Sequence, residues 1–378
     1  MRRTFAALAF ASVLAWGGAS TLGAGAPALE IATQGYIFAG GKYIDGAGGK
    51  TMTGQAYVEY QIPKNRTHPV PIVMIEGGGQ SGSNFTGTPD GREGWTQYML
   101  RQGYAVYVVD QPGRGRSALS SVYGKTAISS VATIEQRFTA PERSKMWPQA
   151  KSHTQWPGTG VAGDPVFDQF YAEQLQVISD FPKQQELNRD AAVALLDRIG
   201  PAILLIHSQS GAFVWPIADA RPNLVKAIVA VEPNGPPVHD VAFKGAPDYF
   251  SNGPLTKPWG ITAVPLTYGG VANASQLAFV EQDKPDAPDL VKCWRQKEPA
   301  HPLTKLHDIP VVIITSEASY HASYDHCTAQ YLTQAGVKND FIHLADRGIR
   351  GNGHMMMLEK NNLAIAALIA DWLGKNLH

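Results

Sequence analysis

The sequence predicts an α/β fold: a mostly parallel central sheet covered by helices on both faces. Three observations predict it. Short apolar runs recur without polar alternation, as strands buried on both faces require, at residues 71–75, 104–109, 202–206, 224–231 and 309–315. Segments of helical periodicity stand between several of them, the alternation that builds right-handed parallel crossovers. Small, acidic or basic residues then follow the strand ends, where such sheets place their ligand chemistry.

The chain has 378 residues, enough for one large domain with insertions or for two ordinary domains. Lys+Arg and Asp+Glu are both 32, so no nucleic-acid or anionic-membrane partner is expected. Residues 1–26 read as a signal peptide. Arg2 and Arg3 precede an apolar core from Phe5 to Trp16, and Ala24, Gly25 and Ala26 supply a small-residue cleavage site. The core is too short for a permanent span, so a periplasmic or secreted protein of residues 27–378 is expected, with no integral membrane segment after signal removal.

Next in order, residues 35–38 and 42–44 flank Ala39, Gly40 and Gly41, which predicts an antiparallel hairpin. Residues 52–62 alternate as a further strand. The run 71–75 ends in Glu76, Gly77, Gly78, Gly79, Gln80, Ser81 and Gly82. Glycines there let the backbone approach a ligand and aim N–H groups at a reacting oxygen; a flexible turn is the plainer alternative. Asp90 is read as the cap of a helix carrying Trp95, Tyr98 and Met99, closed by Gly103. The strand 104–109 exits through Asp110 to Ser117, a segment read as shaping a tight turn rather than binding anions through Arg114 and Arg116. Residues 118–181 show no clean strand and hold Trp147, Trp156, Phe167, Phe170 and Tyr171, which marks a long insertion. A helix is expected over 184–199.

Residues 202–212 read Ala-Ile-Leu-Leu-Ile-His-Ser-Gln-Ser-Gly-Ala. Strand, tight turn, then helix with a serine at the turn is the layout of a nucleophile elbow. The turn lifts a hydroxyl to the top of the sheet beside helix N-terminal amides. A G-x-S-x-G pattern centred on Ser208 needs glycines at positions 206 and 210, where Ile206 and Ser210 stand. Small flanks, Ser208 and Ala212, favour Ser210 on sterics alone. Further on, 224–231 delivers Glu232, and residues 238–308 form a second insertion rich in Pro and aromatics. A strand over 309–315, a helix over 321–334, a strand over 340–344, Gly351-Asn352-Gly353-His354 and a helix over 361–373 complete the pattern. Both insertions leave from C-terminal strand ends, so they belong over one edge of the sheet as a lid on a single domain.

Serine, acid and histidine thus fall at strand ends in the order found in α/β-hydrolases. The segments Glu76–Gly82, Asp110–Ser117, His207–Gly211, Val231-Glu232-Pro233 and Gly351–Met357 resemble a group of secreted bacterial carboxylesterases within the α/β-hydrolase superfamily. That resemblance implies Ser208 as nucleophile, Glu232 as orienting acid and His354 as general base. Ser210 becomes a support of the elbow. The oxyanion amides are assigned to Gln209 and Gly78, with Gly79 as second choice, and no metal or organic cofactor is called for. Glu317 and Asp325 are the rival acids.

Glu76 stands where such enzymes often carry histidine, either as a spectator or as a residue that tunes substrate charge. His321, Asp325 and His326 read as a solvated helix face rather than metal ligands, and His207 as packing beneath the elbow. Cys293 and Cys327 admit one disulfide in an oxidising compartment and lack metal or CxxC spacing. The expected function is an exported serine carboxylesterase acting on a small-molecule or polymeric ester. A lactonase, amidase or C–C bond hydrolase on the same machinery, or a catalytically silent ligand-binding homologue, are the alternatives. The aromatic insertions favour an uncharged or partly apolar substrate.

Overall fold

A computed structural model describes residues 28–46 and 48–377; the signal-peptide reading of residues 1–26 lies outside them. Eight strands make the main sheet: β1 (Ile31–Gly46), β2 (Gly49–Pro63), β3 (Ile72–Ile75), β4 (Val106–Asp110), β5 (Ala202–His207), β6 (Val225–Val231), β7 (Val311–Thr315) and β8 (Asn339–His343). Their order across the sheet is β1-β2-β4-β3-β5-β6-β7-β8. β1, β2 and β4 pair antiparallel in turn, and every pair from β4 to β8 is parallel.

Strand by strand, odd and even residues go to opposite faces. Ala202, Leu204 and Ile206 of β5 join one buried cluster, while Ile203 and Leu205 join the other. The first cluster is closed by α2 (Phe181–Ile199), α3 (Gly211–Ala220) and α4 (Asp325–Gln334). The second is closed by α1 (Trp95–Arg101) and α5 (Asn362–Asn376). α2 shows how local chemistry sets the ends: Asp180 accepts a hydrogen bond from the Lys183 amide, Pro182 lies in the first turn, and Gly200 ends the helix at φ 83°.

Two local expectations are corrected. Ala39, Gly40 and Gly41 do not turn the chain; β1 runs through them, and its ribbon with β2 reverses between Gly46 and Gly49. Gly40 is glycine for another reason. A Cβ there would stand 2.9 Å from the Ala191 Cα of α2, so the helix crosses the ribbon at backbone distance. Asp90 is not a helix cap either: it is ion-paired with Arg92 at 2.6 Å, and Gly94 precedes α1.

The segment 118–181 is mostly short helical pieces, among them Val131–Ile134, the π-turn Glu135–Thr139 and Pro165–Ala172, and a short ladder of Thr126–Ala127 with Val177–Ile178 ties its two ends together. The segment 238–308 holds two small hairpins, His239–Phe243 with Phe250–Leu255 and Phe279–Glu281 with Trp294–Gln296. Cys293 and Cys327 are joined in a disulfide, which pins the second hairpin's neighbourhood to α4 across 34 residues. Closing a loop of that size contributes about 3–4 kcal/mol through the unfolded chain. The paired variant Cys293→Ser/Cys327→Ser should therefore unfold at a clearly lower urea midpoint than the wild type. An unchanged midpoint would show that the bond adds nothing to stability.

Candidate active site

β5 ends in a 3-10 turn, Ser208–Ser210, from which α3 departs. Ser208 sits at φ 56°, a left-handed conformation that a non-glycine residue adopts only when its surroundings enforce it. The enforcing contacts are specific. Ser210 Oγ accepts from the His207 amide at 3.0 Å and faces the carbonyls of Ile75 and His207 at 2.9 and 2.8 Å. The Asn234 amide donates to the Ser208 carbonyl at 2.8 Å. Gly77 and Gly211 make room: a Cβ on the first would stand 3.0 Å from Ser208 Cβ, and on the second 2.4 Å from the Asn234 nitrogen.

The structure brings Ser208, His354 and Glu232 into one hydrogen-bonded chain. Ser208 Oγ lies 2.8 Å from His354 Nε2, and His354 Nδ1 lies 2.5 Å from Glu232 Oε2. Glu232, at the end of β6 and at φ 44°, is fully buried. It accepts from the Ser316 amide at 2.9 Å, the Ser316 hydroxyl at 2.5 Å and the Ser319 hydroxyl at 2.7 Å. Burial pushes its carboxyl above the usual range, while the neighbouring His321 and the Ser316 and Ser319 donors pull it back. Burial holds His354 well below the ordinary imidazole value, with His321 and Arg137 adding repulsion, so the ring is neutral near pH 7 and free to accept a proton.

Neither rival acid reaches the His354 imidazole by a hydrogen bond. Glu317 accepts from Arg350 at 3.0 Å and from the Gly351 amide at 2.8 Å. Asp325 accepts from His321 Nδ1 at 2.8 Å and from Thr315 at 2.7 Å. This corrects the solvated-helix reading of His321, Asp325 and His326. His321 and Asp325 are buried, and the His321 ring stacks on His354 at 4.7 Å and 10°. The reason is that residues Tyr320–Ser323 form a 3-10 turn under the site, with α4 starting only at Asp325. His207 is buried beneath the elbow and donates from Nε2 to the His354 carbonyl at 3.0 Å.

Sequence reasoning missed two contacts on His354. The Tyr320 hydroxyl lies 3.2 Å from its Nε2, and the Phe138 ring stacks on it at 5.1 Å. Tyr320 follows the end of β7 closely, a position that singles it out in retrospect. Phe138 lies in an insertion with no periodic signal.

Gly78 lies against the Gln209 side chain, with a Cβ position 3.5 Å from Gln209 Oε1. Gly79 turns instead toward Gln174, and its carbonyl accepts from the Leu175 amide. Arg114 ties the two loops together, donating to the Gly77 carbonyl at 2.6 Å and to Gln209 Oε1. Arg116 is ion-paired with Asp110 and Glu59, and Asp110 also accepts from the Gly82 amide. That segment therefore shapes the strand exit.

Glu76 is fully buried and accepts from the Gln111 amide at 2.8 Å, which makes it a spectator to substrate. Burial pushes its carboxyl up to about 8, against the pull of Arg114. Between about pH 4.5 and 8 the folded state keeps a proton that the unfolded chain has released, so this group's contribution falls as pH rises through that window. The melting-temperature gap between Glu76→Gln and wild type should widen in the variant's favour by several degrees from pH 5 to pH 8.5. A flat gap would overturn the assignment.

Among the described residues, two groups place three donors within 4.8 Å of one another: Cys293, His326 and Cys327, and Glu232, His321 and His354. In the first the sulfurs are bonded to each other; in the second Glu232 and His354 bond to each other. A cavity of about 440 Å³ opens on Ser208 and Gln209, walled by Arg137 from the first insertion and by Val241 and Phe243 from the second.

Strand order, elbow and the serine–histidine–acid chain together have the layout of a hydrolase-type site on an α/β sheet. A profile of the alpha/beta hydrolase family matches residues 72–368, and the chain belongs to that family. The probable secreted lipase phiG of Fungal sp. (strain ATCC 74256) is 48% identical over 330 residues, covering 87% of this chain and 88% of that protein. A solved structure described as a novel bacterial esterase shares the fold at a TM-score of 0.63. It is 24% identical and covers 94% of this chain and 99% of that one. Among the described residues no helix is long and apolar enough to cross a membrane.

Proposed function

We propose that this chain is an exported serine carboxylesterase, and the observation that carries the reading is the Ser208–His354–Glu232 hydrogen-bonded chain at the mouth of the cavity. The chain is a carboxylic-ester hydrolase. His354 takes the Ser208 proton as Oγ attacks the ester carbonyl, then gives it to the departing alkoxide, leaving an acyl-enzyme and a free alcohol. Water, deprotonated by the same imidazole, releases the acid and restores Ser208. Glu232 holds the imidazole in the tautomer whose Nε2 faces Ser208 and stabilises the imidazolium. The amides of Gln209 and Gly78 receive the oxyanion; losing one such donor costs about 10²–10³ in rate. The two insertions act as a lid over the cavity. Export is supported by the character of residues 1–26 and by the likeness to a lipase named as secreted.

A fluorophosphonate probe tests this directly, because it modifies an activated serine. Folded wild-type protein should be labelled at Ser208 and should turn over 4-nitrophenyl esters. Folded protein that takes no label and cleaves no ester would leave a catalytically silent binding homologue as the better reading.

A further inference from the structure

The wall of the cavity carries a cation that the reaction does not use. Arg137 sits on the π-turn Glu135–Thr139, a rare turn type that recurs at functional sites. The turn is docked on the catalytic machinery, since the next residue, Phe138, stacks on His354 at 5.1 Å. The Arg137 guanidinium lies 5.6 Å from the centre of the Tyr320 ring, whose hydroxyl is 3.2 Å from His354 Nε2. Arg137 thus lies about one aromatic ring away from the reacting atoms.

Among the described residues Arg137 has no carboxylate partner, and the acids near it in sequence, in the cavity wall and at the site are engaged elsewhere. Glu135 accepts from the Ala162 amide, and Glu142 pairs with His153. Asp240, the acid in the cavity wall, is paired with the buried ammonium of Lys257 at 2.6 Å. Glu232 and Asp325 are taken by His354 and His321. Arg137 is exposed, so a substrate entering the cavity covers part of its guanidinium, and an anion on the substrate recovers the lost hydration best. The planar fork of arginine matches a carboxylate in two parallel hydrogen bonds.

On the ester-hydrolase reading, we propose that Arg137 selects esters whose molecule also carries a carboxylate, with an apolar body resting on Phe181, Val241 and Phe243. The aromatic content of the insertions accounts for the apolar part of such a substrate, and Arg137 adds the charge.

The test compares mono-4-nitrophenyl adipate with neutral 4-nitrophenyl hexanoate, and 4-acetoxybenzoate with phenyl acetate. The first pair places the carboxylate on the acyl side and the second on the alcohol side. In one of the pairs the wild type should prefer the anionic ester in kcat/KM, mainly through KM. Arg137→Gln should cut that anionic-to-neutral ratio by about 10- to 100-fold, the worth of a hydrogen bond to a charged group, and Arg137→Glu should cut it further. If the wild type cleaves the esters and neither substitution moves either ratio, the assignment of Arg137 is overturned alone. A wild type that cleaves none of them and takes no fluorophosphonate overturns the ester-hydrolase reading, and this assignment with it.

Discussion

Ser208→Ala is expected to lower kcat by about 10⁵-fold or more and to abolish fluorophosphonate labelling, while Ser210→Ala keeps turnover within about tenfold of wild type. The two serines are separated by one residue, yet their surroundings differ in kind. Ser208 Oγ lies 2.8 Å from His354 Nε2 and opens on the cavity. Ser210 Oγ is buried and is spent on the backbone of His207 and Ile75. Removing the first takes away the nucleophile. Removing the second leaves buried backbone groups short of a partner, a loss of about 1–3 kcal/mol in folding stability. Turnover of a 4-nitrophenyl ester and a urea unfolding curve on each variant separate the two effects. Equal losses of activity would mean that the register of the elbow is wrong.

Sterics alone point to the other register, and the contrast shows where the sequence is informative. Small flanks around Ser210 suggest an exposed hydroxyl there. What turns the Ser210 hydroxyl inward is a tertiary contact, the Ile75 carbonyl of the neighbouring strand, which residues 202–212 do not contain. The buried strands are legible because each is apolar on both faces, and β3, β5, β6 and β7 sit within a residue or two of their expected positions. Gly40 and Gly41 mislead for the opposite reason. Glycine marks a turn and a close approach equally well: the partner of Gly40 is α2, some 150 residues away, and that of Gly41 is Gln55 and Met52 of β2. His321 and Asp325 mislead because the turn Tyr320–Ser323 carries His321 under His354 and Asp325, at the start of α4, bonds to that ring, and helical spacing assumes neither. The disulfide is legible as an option only, since the approach of Cys293 to α4 depends on how the second insertion folds back.

The choice of acid has the second largest expected effect. Glu232→Gln should lower kcat by about 10⁴-fold with little change in folded structure. Glutamine keeps the shape of glutamate, but its amide nitrogen is a donor where His354 Nδ1–H needs an acceptor. The imidazole then settles with its proton on Nε2, facing Ser208, and cannot take another from it. The Ser316 amide and hydroxyl, which bond the other oxygen, still find the amide oxygen, and the Ser319 hydroxyl can turn to accept from the amide nitrogen, so the variant should fold. Glu317→Gln is the control, because its contacts with Arg350 and Gly351 lie in a different hydrogen-bond network. It should keep activity within about tenfold of wild type. Loss in Glu317→Gln with retention in Glu232→Gln would mean that the acid acts from the end of β7 and that the 2.5 Å contact of His354 with Glu232 is not the working one. Asp325 offers no third route in the observed arrangement, since its two oxygens already serve His321 and Thr315 and it meets His354 only through the stacked His321 ring.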